Sequence, residues 1–194
     1  MTKKIITSIL LLFCISATLF AQDNSVKSIM TKKYNPTTNL VVWPSEFNPT
    51  KAKWYVYNEI EINAKPEVVW NILIDAKKWH TFYKGVESPI EYLDITATTL
   101  RNGLAFKMHT MGLHLQPVMK EFVPNERMAW EVRRGNLTAY HAWVIVPTEN
   151  GCRLITPEAQ NGFLTFLQKV FQPNKLLKLH DKWLKLIKER AEKK

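Results

Sequence analysis

Two polar residues, His141 and Glu158, occupy positions where the surrounding pattern calls for apolar ones. His141 shares an alternating face with Trp143 and Ile145, and Glu158 shares one with Cys152, Leu154 and Thr156. Residues two apart in a strand point the same way, so both side chains are expected to turn inward. Their strands are consecutive and antiparallel, which brings an imidazole and a carboxylate into one apolar interior. Such a pair orients a ligand or serves as a general acid/base couple. The plainer alternative is a buried structural hydrogen bond, with Glu158 near enough to its strand end to reach water.

Other chemistry is thinly represented. His109 and His114 flank Gly112, while His80 and His180 stand singly on expected helices. No pair has the spacing of a ligand motif and no thiolate cluster exists, so no metal is expected. Glycine-rich phosphate loops and nucleophile elbows are absent from the sequence, which implies no cofactor and no acyl-transfer machinery. The same alternation assigns Phe106, Met108, Met119, Trp130, Trp143 and Leu154 to the wall of an internal cavity, or else to a filled core. Tyr92 and Tyr140 alternate with inward positions and are expected at the surface or rim.

These residues need a scaffold, and the chain has 194 residues to build one. Lys3 and Lys4 precede an apolar run from Ile5 to Phe20, and Ala21 stands before a polar boundary. That is the layout of a secretory signal peptide over residues 1–21, shorter than a comfortable membrane span. An uncleaved N-terminal anchor is the alternative, and either places the protein outside the cytoplasm, periplasmic or secreted. Beyond this segment only Cys152 remains, so no internal disulfide forms and a buried structural thiol is expected.

Residues 22–53 read as an irregular extension, since Pro36, Pro44 and Pro49 forbid a long helix, with aromatic residues docking on the domain. The domain itself covers residues 54–194. Tyr55 to Ile62 alternates as a strand, and Pro66 opens a helix with Val69, Trp70, Leu73 and Ile74 on one side. A second short helical piece carries Trp79, Phe82 and Tyr83. Strands follow over 90–95, 104–111, 113–123, 127–133, 138–146 and 152–159, separated by turn residues such as Asn102-Gly103 and Asn150-Gly151. A long apolar-striped helix, interrupted or bent near Pro173, runs from Phe163 to Glu192. The fold class is α+β, a curved antiparallel sheet covered by one C-terminal helix. One helix is too narrow to fill such a concavity, so an apolar cavity is expected.

Four segments carry a family resemblance in this order and spacing: Ile60 to Trp70, Asp75 to Trp79 with Phe82, Pro124 to Trp130, and His141 to Pro147 leading to Asn150 through Glu158. Together they resemble the helix-grip (SRPBCC) superfamily, which includes START lipid-transfer domains, the birch-pollen-allergen fold and polyketide cyclase/dehydrase-like proteins. The resemblance implies binding of lipids, polyketides, sterols, quinones or aromatic metabolites, with catalysis in only some members.

The chain is basic, +10 by formal count, but much of the charge lies after residue 168 on the solvated face of the last helix. Nucleic acid is not an expected partner, and weak attraction to anionic lipid headgroups is the better functional reading. Three functions follow as expectations: an exported, monomeric carrier of a small hydrophobic molecule, a cyclase/dehydratase-type enzyme using His141 and Glu158, or a membrane-associated lipid-transfer protein.

Overall fold

A computed structural model describes residues 28–36 and 40–193; the signal peptide expected at 1–21 lies outside them. The extension is more ordered than its prolines suggest. Ile29–Thr31 (β1) pairs antiparallel with Trp54–Ile62 (β2), placing Ile29 opposite Glu59. Phe47 is fully buried and packs 5.6 Å from the ring of Tyr140, while Trp43 meets Tyr55 at 6.1 Å. Tyr140 does point to the outer face of the sheet, but this aromatic cover buries it, correcting the expected rim position. The same cover explains why β2 is buried on both faces apart from Glu61.

Helices Pro66–Ile74 (α1) and Trp79–Phe82 (α2) follow, and then the remaining strands. These are Glu91–Tyr92 (β3), Phe106–Thr110 (β4), Leu113–Leu115 (β5), Val118–Val123 (β6), Arg127–Arg134 (β7), Leu137–Thr148 (β8) and Gly151–Asn161 (β9). The strand expected over 113–123 breaks at Gln116-Pro117, where proline removes an amide donor. The sheet therefore divides into a six-stranded part ordered β1-β2-β9-β8-β7-β6 and a smaller β3-β4-β5 part. The expected strand at 90–95 shrinks to two residues because Asp94 accepts from the Thr96 amide and turns the chain. Tyr92 is also buried instead of rim-exposed, its hydroxyl donating to the Ile74 carbonyl at 3.4 Å.

The C-terminal helix is two helices, Phe163–Phe171 (α3) and Lys175–Ala191 (α4). Pro173 lies in the break, and the residue before a proline is pushed out of helical geometry. Gly162 makes the tight exit from β9 at φ 104°, where an added Cβ would sit 1.6 Å from the Asn136 carbonyl oxygen. Only glycine fits there.

Helix α4 lies across the concave face with Leu176, His180, Trp183, Leu184 and Ile187 buried. Asn58 Nδ2 donates to the Leu177 carbonyl at 3.0 Å and the Tyr83 hydroxyl to the Leu179 carbonyl at 3.1 Å. Side chains from the sheet and α2 fill most of what one helix leaves open. Trp183 lies 5.0 Å from both Trp79 and Trp143, and Trp79 lies 5.8 Å from Trp130. Large rings bury far more area than aliphatic side chains, so the hollow is much narrower than the strand count implies.

Candidate functional site

What remains open is a cavity of about 70 Å³ between α4, strands β7 to β9 and the β4–β5 hairpin. Its walls are mainly apolar, including Met108, Leu115, Trp130, Leu176 and Trp183, and its polar residues are His141, Glu158, Gln160 and His180 together with Tyr83, Thr110 and Gln168. Of the wall residues expected from alternation, Met108, Trp130, His141 and Glu158 line it. Phe106, Met119, Trp143 and Leu154 are instead sealed into the packed core. They share the inward face, but the aromatic cluster stands between them and the opening.

Strand register builds the polar group. His141 on β8 is paired directly with Glu158 on β9. The ladder register then skips the positions around Pro157, which has no amide to donate. Glu158 is buried, not solvated at a strand end, because β9 runs two residues past the expected Ala159. His180 comes from α4, completing a cluster that sequence spacing does not reveal. Its signal was its position on the apolar stripe with Leu176, Trp183 and Leu184. Gln160 was missed for a related reason: it continues the inward face of Glu158 beyond the expected end of the strand.

The hydrogen bonds assign roles. Glu158 Oε2 accepts from His180 Nε2 at 3.1 Å and Oε1 accepts from Gln160 Nε2 at 2.5 Å, while His141 Nδ1 lies 3.3 Å from Oε2 as a charge contact. His141 Nε2 lies 2.7 Å from the Thr156 hydroxyl. The His141 ring is thus held between the Thr156 hydroxyl at one nitrogen and the Glu158 carboxylate facing the other. His180 Nδ1 and Gln160 Oε1, by contrast, are buried without a hydrogen-bond partner among the described residues, as is Trp183 Nε1.

Electrostatics follow the same geometry. Burial alone would raise the Glu158 carboxyl, but the two imidazoles and the Gln160 amide outweigh it and hold the group below its ordinary value. Burial dominates at His141 and pushes it down to about 3, with Glu158 opposing and His180 assisting. The cluster is thus a carboxylate surrounded by donors.

Could the same atoms hold a metal? One donor atom from each of His141, Glu158 and His180 lies within 4.8 Å of the others, a set chemically suited to zinc. The two imidazoles, however, are stacked at 4.6 Å with an interplanar angle of 18°. A metal must lie in the plane of each ligating ring, and two overlapping parallel rings cannot both satisfy that. The arrangement is built for hydrogen bonding.

Residues 53–192 match the family described as polyketide cyclase/dehydrase and lipid transport. The chain belongs to that family. Its fold is similar to that of a hypothetical protein from Helicobacter pylori, at 26% identity and TM-score 0.73 over 82% of this chain and 100% of the other. It is also similar to truncated norcoclaurine synthase from Thalictrum flavum (12% identity, TM-score 0.58, 72% and 94% covered). A third likeness is to the di-domain ARO/CYC StfQ from the steffimycin biosynthetic pathway (15%, 0.59, 71% and 50%). The last two similarities establish the helix-grip fold alone. No curated protein matches the sequence.

Proposed function

We propose that this protein binds a small apolar molecule bearing a hydroxyl group, with the hydroxyl in the cavity and the apolar body against its mouth. The observation that carries this is the set of unpartnered atoms on cavity-lining residues: two acceptors, His180 Nδ1 and Gln160 Oε1, and one donor, Trp183 Nε1. A hydroxyl is the simplest group that both donates and accepts. Buried polar atoms left unpaired are costly, and one hydroxyl can pair with the Trp183 donor and one of the two acceptors, so it gains affinity over an isostere that pairs with none. The volume supports a small polar end and not a whole lipid: a dry cavity that takes benzene has about 150 Å³. Met108 and Met111 among the lining residues have flexible side chains that let the cavity adapt. Export remains part of the proposal, supported by residues 1–21 alone and checked by the N-terminal mass of protein recovered from the cell envelope.

The test is a pair of titrations followed by tryptophan fluorescence, with p-cresol and its isostere p-xylene. We expect p-cresol to bind at least about tenfold more tightly. Equal affinities, or no binding of either, would overturn the reading.

A second reading rests on the carboxylate behind His180. Glu158 fixes the Nε2–H tautomer, leaving Nδ1 as a lone pair that can take a proton while Glu158 stabilises the imidazolium. This moves the acid/base role from His141, whose ring lies between Thr156 and Glu158, to His180. Exchange or elimination of a ligand proton that disappears in His180→Gln would support it, and turnover unaffected by that change would exclude it.

A further inference from the structure

Helix α3 presents its apolar residues outward. Phe163, Phe166, Val170 and Phe171 are all exposed, Phe171 by 76%. The opposite face holds the helix to the domain: Thr165 is buried and donates to the Asn161 carbonyl at 2.9 Å, and Gln168 lines the cavity. Beside the phenylalanines, Lys175, Lys178 and Lys182 border a shallow depression floored by Pro173 and Leu179. Between Phe163 and Lys182 the one acidic residue is Asp181, and it is paired with Lys185 at 3.0 Å. Four exposed large apolar side chains on one short helix, followed along the chain by lysines with no ion-pair partner among the described residues, are unusual on a free surface.

We propose that α3 and the first turns of α4 form a docking face for an anionic lipid surface. The phenylalanines enter the boundary between headgroups and acyl chains, and the lysines meet the headgroup charge, the arrangement by which interfacial helices bind. No described helix is long and apolar enough to cross a membrane, so the contact is interfacial. Charge complementarity favours lipid over a second copy of the chain. A symmetric pairing through α3 would set the lysines of one copy against those of the other. The face adjoins the cavity, since Leu179 belongs to both, so a docked molecule would turn its cavity mouth toward the bilayer. The inference stands independently of which ligand the cavity holds.

The experiment is amide hydrogen exchange on the full chain with vesicles of phosphatidylcholine alone or mixed with phosphatidylglycerol. A local readout separates α3 from any contribution of the apolar segment at residues 5–20. We expect residues 163–182 to become protected by the anionic vesicles only, and protection to weaken at high salt. Phe166→Ser with Phe171→Ser should abolish it. Lys175→Gln with Lys178→Gln should weaken vesicle affinity roughly fivefold per lysine, and this variant keeps the test valid if the serine variant does not fold. Unchanged exchange in α3 while the protein binds vesicles would overturn the proposal. So would equal protection by both vesicle types, or concentration-dependent protection without vesicles, which would identify a second copy as the occupant.

Discussion

Glu158 Oε2 lies 3.1 Å from His180 Nε2, joining the last strand of the sheet to the helix that covers it. These residues stand 22 apart in sequence, and between them the chain turns at Gly162, forms α3 and breaks around Pro173. The contact ties the position of α4 to the charge of one carboxylate.

Replacing Glu158 by Gln keeps the shape but leaves one acceptor oxygen where two donors, His180 Nε2 and Gln160 Nε2, are now received, so its NH2 must face one of them. We expect a loss of about 1–3 kcal/mol, the scale of a buried donor left unsatisfied, measured as a lower urea midpoint. His180→Leu should cost p-cresol its advantage over p-xylene while leaving hydrocarbon binding in place.

The cluster also predicts how stability depends on pH. The unfolded chain takes up a proton on His141 near its ordinary 6.5, whereas the folded protein resists until about 3. Between those values the unfolded state binds more protons, so stability falls as pH falls. Glu158 acts in the same direction: its depressed folded value gives stability that is present above the ordinary carboxylate range and lost as pH drops through the folded value. Urea midpoints should therefore decline from about pH 7 to about pH 4, with a shallower decline in His141→Gln. A flat profile would contradict the burial of this pair.

Trp130 packs 4.6 Å from His141, 5.8 Å from Trp79 and 6.0 Å from Phe106. Trp130→Ala should destabilise the fold by about 3–5 kcal/mol. Phe47→Ala should cost a similar amount, because the extension is part of the packed structure and not a loose tail. Thermal or urea unfolding measures both, and a loss well under about 1 kcal/mol for either would show it misplaced.

Burial pushes the Cys152 thiol up to about 11. Its thiolate population is correspondingly small. Peptide-mapped alkylation should find Cys152 unreactive in the native state and labelled promptly in denaturant.

How much of this could be read from the chain alone depended on periodicity. The β8–β9 pairing was legible because His141 and Glu158 interrupt clean apolar alternation, and register then places them opposite each other. His180 was not, because a lone histidine on a helical stripe carries no partner information; only the packing of α4 onto β9 supplies it. The filled concavity was also hidden. Alternation tells which side a tryptophan faces, but not that Trp79, Trp130, Trp143 and Trp183 meet one another. Pro173 is a visible breaker, and the interruption it signals divides the C-terminal helix; Pro117 is equally visible, but apolar residues on both sides of it mask the break in the strand.

The most direct test of the central claim is imidazole nitrogen NMR on isotope-labelled histidine, with and without p-cresol. The account predicts that His180 Nδ1 resonates as an unprotonated nitrogen in the free protein and shifts on ligand addition, while His141 stays nearly unchanged. A protonated Nδ1 in the free protein, or a His180 signal indifferent to saturating ligand, would contradict it.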